Sequence, residues 1–274
     1  MTIESFMILF LFALGAIIGS FLNVCIVRMP EEKSVVVPCS HCVNCKKTIA
    51  WFDNIPFISY LILGGKCRNC GVKISPRYLL VEFITAVSFV GFYLYFGLNI
   101  LLVPYLFMMC CFIVATFVDF KYKIIPDEVS VGGMIVGLIL SAFIPKMHGI
   151  DVIGQNLLIA HAKSLGISFF GLLIGGGIIY LMGVIGDIAF KKESMGGGDV
   201  KLMAMIGSIM GWKLAVLTFF IAPFFGAVFG IIEKIKTKES AIAYGPFLAL
   251  GALISLFWGE KIIDFILSGY GGLI

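Results

Sequence analysis

The sequence predicts an all-α polytopic membrane protein with about eight transmembrane helices. Three observations carry that prediction. Of its 274 residues, 60% are hydrophobic and only 13% charged, with a mean hydropathy of +1.08, so polar surface is too scarce to cover a soluble globule. The apolar residues gather into runs near the roughly 20 residues that cross a bilayer core as helix. Those runs lack the short alternating strands of a closed barrel, the other architecture that spans a membrane.

The runs fall at about 5–26, 78–97, 99–119, 128–144, 164–190, 199–211, 213–232 and 245–268. The first begins MTIESF, with an acid and no base. Its basic residues follow the run and no small-residue cleavage site is evident, so it reads as a retained span rather than a signal peptide. The sixth, DVKLMAMIGSIMG, is short and reads as a partial span or one tilted against its neighbours. Sixteen of the 20 Lys and Arg fall in alternate loops: Arg28 to Arg77, Lys121 with Lys123, Lys191 to Lys201, and Lys234 to Lys238. Loops rich in these residues face the cytoplasm, which puts both termini outside. The chain thus divides into a first span at 1–26, a cytoplasmic loop at 27–77 and a transmembrane core at 78–274.

The loop holds two C-x-x-C knuckles, Cys42 with Cys45 and Cys67 with Cys70, separated by slightly more than the usual zinc-ribbon spacing. Each knuckle offers two thiolates from one turn, and two knuckles complete a tetrahedral shell around Zn2+. A cytoplasmic loop does not keep structural disulfides, which favours metal over a cystine pair. Four thiolates leave no open coordination position, so the zinc is structural and folds a loop too small to bury its own core. Cys39 and His41 flank the first knuckle as alternative ligands. Cys25, Cys110 and Cys111 lie in apolar runs, where a free cysteine packs as a small hydrophobe. The loop's basic residues suit membrane lipid headgroups or topology better than nucleic acid.

Ionisable groups at membrane depth are functional candidates. Asp119 ends the third run and Asp199 opens the sixth, behind Gly196, Gly197 and Gly198. Both lie at cytoplasmic helix ends, where aspartates also cap helices or reach for water. Brought together, two such carboxylates can share a proton, as in aspartic proteases. The glycines would let an extended peptide approach, or would serve only as a hinge. Glu82 invites an ion pair with Arg77 or a site role, Asp127 after Pro126 starts a helix, and Lys201 suits either a carboxylate partner or topology. No H-E-x-x-H or G-x-S-x-G motif offers a competing protease chemistry.

Several segments together carry a resemblance. GSFLNVCIVRMP (19–30), both knuckles, ISPRYLLVE (74–82), DFKYKIIPDEV (119–129), GGGDVKL (196–202) and YGPFLALGA (244–252) resemble the type IV prepilin peptidases, bifunctional G-x-G-D aspartic membrane proteases. The resemblance runs in order from the first span to the last. It implies cleavage of the basic leader of type IV prepilins and type II secretion pseudopilins at the cytoplasmic face of the bacterial inner membrane. It also implies N-methylation of the new N-terminus with S-adenosylmethionine, an activity associated in that family with the large first loop. The catalytic pair would fall on Asp119 and Asp199, and the cysteine tetrad on Cys42, Cys45, Cys67 and Cys70. Leu79 stands where family members often carry proline. Two other functional classes remain open from the residues alone: an ion-coupled transporter with a regulatory zinc loop, and a non-catalytic assembly scaffold. No glycine-rich nucleotide fingerprint locates a cofactor site, and no feature fixes an oligomeric state.

Overall fold

The computed structural model describes residues 2–154, 156–191, 195–237 and 243–271. It is helical, with two isolated bridges among the described residues, His41 with Thr48 and Lys66 with Lys73, both in the thiol loop. Helix α1 spans Ile3–Arg28, α2 is the short Ile58–Ile62, and α3 spans Arg77–Phe96. Then follow α4 (Leu102–Tyr122), α5 (Asp127–Phe143), α6 (Leu157–Phe190), α7 (Gly197–Thr237) and α8 (Gly245–Gly271). Among the described residues, five segments are long and apolar enough to cross a membrane, within α1, α3, α4, α6 and α7. The chain is a multi-pass membrane protein.

The helix ends follow local chemistry. Thr2 caps α1 by accepting the Ser5 amide, and Arg28 closes it, each complementing the helix dipole. Asn156 caps α6 through the Leu158 amide, and Lys191 ends it in the left-handed region at φ 52°. Helix α7 breaks at Gly211, whose φ of 77° and ψ of 170° leave the helical region. The short sixth run and the seventh run are therefore two helical pieces joined at one glycine. Residues 5–26, 78–97, 128–144 and 245–268 become helices within a few residues of the bounds expected, while α4 extends one turn past Asp119 and α6 begins earlier than residue 164.

The chain forms two compact units, residues 1–117 and 118–274. In the first, α1 packs on α3. A methyl on Gly15 would stand 2.7 Å from Ala86 Cα, and one on Gly19 2.7 Å from Glu82 Cα, so these backbones touch. In the second, α7 packs on α5, α6 and α8. Its contact with α6 is tightest where Gly171 faces Gly207, each occupying the space the other's side chain would need. A methyl on Gly175 would meet the Met203 carbonyl at 2.5 Å. Small residues at such positions let helices approach in lipid, where burial of apolar surface gives little drive.

This contact makes a prediction. Gly207→Val lowers stability by at least about 2 kcal/mol through overpacking, seen as a fall in thermal midpoint in detergent. Gly166→Ala on α6, where the added carbon meets nothing within 4 Å, leaves the midpoint unchanged or raises it, since alanine favours helix by about 1 kcal/mol over glycine.

Candidate active site and thiol cluster

Asp119 lies one turn before the end of α4 and is only 5% exposed. Its Oδ2 accepts the amide of Gly245, the first residue of α8, at 2.9 Å. First-turn amides have no partner within their own helix, so α8 presents a donor and the positive end of its dipole to this carboxylate. Asp199 sits in the first turn of α7, half-buried, with its amide donating to the Gly196 carbonyl at 3.1 Å. It is close enough to Asp119 for their charges to interact, and Tyr244 lies nearby. Both carboxylates belong to the compact unit of residues 118–274. Two acids from distant parts of the chain thus come within electrostatic reach of each other near the N-termini of α7 and α8.

Between them lies Ile125, in the turn that joins α4 to α5. A carbon added at Gly198 would meet Ile125 Cβ at 3.1 Å, and one at Gly245 would meet Ile125 Cδ1 at 3.1 Å and Asp119 Oδ2 at 3.0 Å. The buried isoleucine therefore wedges the backbone bearing Asp199 against the one that donates to Asp119. Lys201 Nζ reaches Asp127 Oδ1 at 2.7 Å and Oδ2 at 2.9 Å, tying the first turn of α7 to the start of α5. This is the carboxylate role open to Lys201 from sequence. Both partners of the pair are exposed, 43% and 64%, so its contribution is about 0–1 kcal/mol. Removing a buried isoleucine side chain costs about 2–5 kcal/mol. Packing, more than the ion pair, holds the turn.

None of Gly196, Gly197 and Gly198 adopts a positive φ. At Gly198 an added carbon would press on Ile125, which would have to give by a few tenths of an ångström. Gly197 faces open space, and a methyl on Gly196 would stand 3.3 Å from Asp199 Oδ2. Gly245, Ile125 and Tyr244 were not marked as site residues by sequence. Their motifs, YGPFLALGA and DFKYKIIPDEV, were the signal, but their partners lie far away in the chain.

In the unit of residues 1–117, the four knuckle thiols converge. The sulfurs of Cys42, Cys45, Cys67 and Cys70 all lie within 4.8 Å of one another, with Cys42 and Cys70 at 3.7 Å. The knuckles repeat one turn. Lys46 donates its amide to the Cys42 carbonyl and Gly71 to the Cys67 carbonyl, both at 2.9 Å, and both turn residues are left-handed, at φ 58° and 70°. Backbone amides point at the sulfurs, as a metal-bound thiolate requires. The Val72 amide, with the Asn44 side chain, draws Cys70 down to about 6. The amides of Cys45 and Asn44 draw Cys42 below the ordinary thiol value. Cys45 accepts the Lys47 amide, yet burial and the three neighbouring sulfurs push it up to about 11. Four sulfurs this close resist ionising together, and a bound dication removes that resistance. The donor set and its spacing fit a tetrahedral metal. Cys39 and His41 stay outside the cluster. Cys39 is exposed, and its carbonyl lies 3.1 Å from His41 Nδ1.

Fold and site together define a multi-pass helical membrane protein that brings two carboxylates near each other at helix ends and carries a cluster of four thiols. Residues 13–96 match the bacterial peptidase A24 N-terminal domain, and residues 106–231 match the type IV leader peptidase family. A prepilin leader peptidase/N-methyltransferase of Legionella pneumophila is 30% identical over 288 residues, covering 94% of this chain and 93% of its own. One from Pseudomonas aeruginosa is 31% identical over 275 residues, with 91% and 89% covered. One from Myxococcus xanthus is 35% identical over 231 residues, which are 84% of this chain but only 64% of that longer protein. No solved structure matches. The chain belongs to the type IV leader peptidase family.

Two predictions follow from the geometry. Ile125→Ala lowers stability by about 2–5 kcal/mol, whereas Lys201→Ala costs about 1 kcal/mol or less, both measured by thermal denaturation in detergent. For the thiols, a pKa near 6 at Cys70 means that this ligand stays ionised until pH falls through that value. Metal retention is thus complete near neutrality and is lost as pH drops below about 6, because protons then compete for the sulfurs. Metal analysis after dialysis across that range gives the curve, and Cys67→Ser with Cys70→Ser abolishes retention at every pH.

Proposed function

We propose that this protein cleaves the N-terminal leader of type IV prepilins and type II secretion pseudopilins, using Asp119 and Asp199 as its catalytic pair, and N-methylates the exposed amine. The observation that carries the reading is that these two carboxylates lie within electrostatic reach of each other at the ends of three helices, with the Gly245 amide on one of them. The relatives' names, prepilin leader peptidase/N-methyltransferase, supply the substrate class and the second activity.

In this mechanism the pair holds one proton. The ionised aspartate takes a proton from water as its oxygen attacks the scissile carbonyl carbon. The protonated aspartate then gives its proton to the departing nitrogen as the C–N bond breaks, leaving a carboxylic acid and a free amine. Gly245 holds Asp119 in place throughout, and no covalent enzyme intermediate forms. Gly197, open on its outer side, gives the substrate backbone room beside Asp199. S-adenosylmethionine supplies the methyl group for the second reaction. Zn2+ on Cys42, Cys45, Cys67 and Cys70 is structural, fixing the two knuckles. The knuckles and the aspartates face the cytoplasm across the bacterial inner membrane in this reading, which the distribution of Lys and Arg supports.

The test uses purified enzyme in detergent or vesicles with a pilin-like substrate. Asp119→Asn and Asp199→Asn each reduce cleavage by about 10²–10⁴-fold while retaining the wild-type thermal midpoint and metal content. Equal processing by wild type and Asp199→Asn rejects the peptidase reading. Mass spectrometry of the mature N-terminus reports the methyl group separately, and an unmethylated product with donor supplied rejects the second activity.

A further inference from the structure

The loop between α1 and α3 contains a stretch, WFDNIPFISYLI at 51–62, with one charged residue. Its side chains do not form a water-facing surface. Trp51 is 81% exposed, Leu61 71% and Ile62 74%, with Ile58 also exposed. Apart from the exposed Asn54, the polar groups turn inward instead. The Ser59 hydroxyl donates to the Phe52 carbonyl at 2.8 Å and accepts the Ile55 amide at 3.1 Å. Asp53 is bound by Arg68 through Nε and Nη2, the shortest contact being 2.6 Å.

The position of this stretch relative to α1 and α3 explains that inversion. Phe57 donates its amide to Glu82 Oε2 at 3.0 Å, and Glu82 lies about 8 Å inside the start of α3 at about 1.5 Å per residue. The Phe57 ring stacks on Phe12, with centroids 5.7 Å apart. Phe12 lies about 24 Å along α1 from Arg28, well within the span. Phe57 holds a left-handed backbone, φ 60° and ψ −54°, a strained state for a bulky residue that persists where surroundings fix it. Its amide bond to a buried carboxylate and its ring stack do so. Glu82 thereby finds a backbone partner, while Arg77 lies over the Tyr78 ring.

We infer that residues 51–62 form a re-entrant arm whose apolar side chains lie among lipid acyl chains beside α1, anchored by Phe57 on Glu82 and Phe12. Irregular backbone is tolerated at membrane depth where its polar groups are satisfied within the protein, as those of Phe52, Ile55, Phe57 and Ser59 are. Helix α1 itself exposes Phe6, Leu9, Phe10, Ile17 and Phe21, so apolar side chains facing lipid are the rule in this unit. Trp51, at its start, suits the interface where indole rings concentrate. The thiol cluster is therefore tethered to the bilayer by a lipid-embedded arm in addition to its two flanking spans.

Tryptophan quenching in reconstituted full-length protein tests the inference. Trp212 and Trp258 are replaced by Phe, and Trp51→Phe with Leu61→Trp leaves one indole on the arm. Phe83→Trp, on the exposed face of α3 next to Glu82, provides a depth standard in the same background. Lipids brominated at mid-chain are expected to quench the arm's indole at least half as strongly as the standard, with little quenching by aqueous iodide. Strong iodide quenching with no effect of brominated lipid overturns the inference. Quenching only by lipids brominated near the headgroup also overturns it, because the arm then lies on the surface. Glu82→Leu, which removes the anchor's acceptor, is expected to raise iodide quenching at Leu61→Trp. An unchanged value removes Glu82 from the anchor.

Discussion

Direct contact between helix backbones is the constraint on which the rest of this structure depends. In lipid, apolar side chains gain little by leaving their solvent, so helices must associate through close packing. Gly171 against Gly207 joins α6 to α7, and Gly15 and Gly19 against Ala86 and Glu82 join α1 to α3. The first contact fixes α7 along its length and so sets where its N-terminus stands. Asp199 is in that first turn. A site residue is thus placed by glycines on a different helix, well away from it in sequence.

Polar groups in this interior are answered mainly by backbone. Asp119 takes an amide from Gly245 and Glu82 one from Phe57. Ser141 donates to the Ser164 carbonyl at 2.8 Å, Ser164 donates back to the Ser141 carbonyl at 2.7 Å, and His148 Nε2 lies 3.0 Å from the Ser141 hydroxyl. Such bonds matter because an unmade one in an apolar surrounding costs about 1–3 kcal/mol. They also explain the contrast with Lys201 and Asp127. That pair is open to solvent, where a charge–charge contact is worth little, and it serves as a tie across a turn already seated by Ile125.

The apolar runs were legible because length and hydropathy decide what crosses a bilayer. Even the separation of the short sixth run from the seventh survives, as the non-helical glycine at 211 within α7. The thiol cluster was legible as well, since two C-x-x-C turns repeat one local conformation and leave few ways to pair. What sequence did not reveal depends on register between distant helices. The bond from Gly245 to Asp119 joins residues 126 apart, and that from Lys201 to Asp127 joins residues 74 apart. No local pattern encodes either. Nor does any local pattern show that Gly198 packs tightly against Ile125. A phenylalanine at positive φ has no sequence signature; only its partners, Glu82 and Phe12, make the Phe57 backbone tenable.

The division of the chain clarifies how its parts depend on one another. The boundary between the compact units falls inside α4, just before Asp119, and the two family matches lie on either side of the α3–α4 turn. Each unit has its own close helix contacts and its own cluster of functional side chains. The thiols, the arm and the α1–α3 pair form one set; the aspartates, Ile125 and the α6–α7 pair form the other. The carboxylate pair rests on glycine packing and one helix-terminal amide, both contained in residues 118–274.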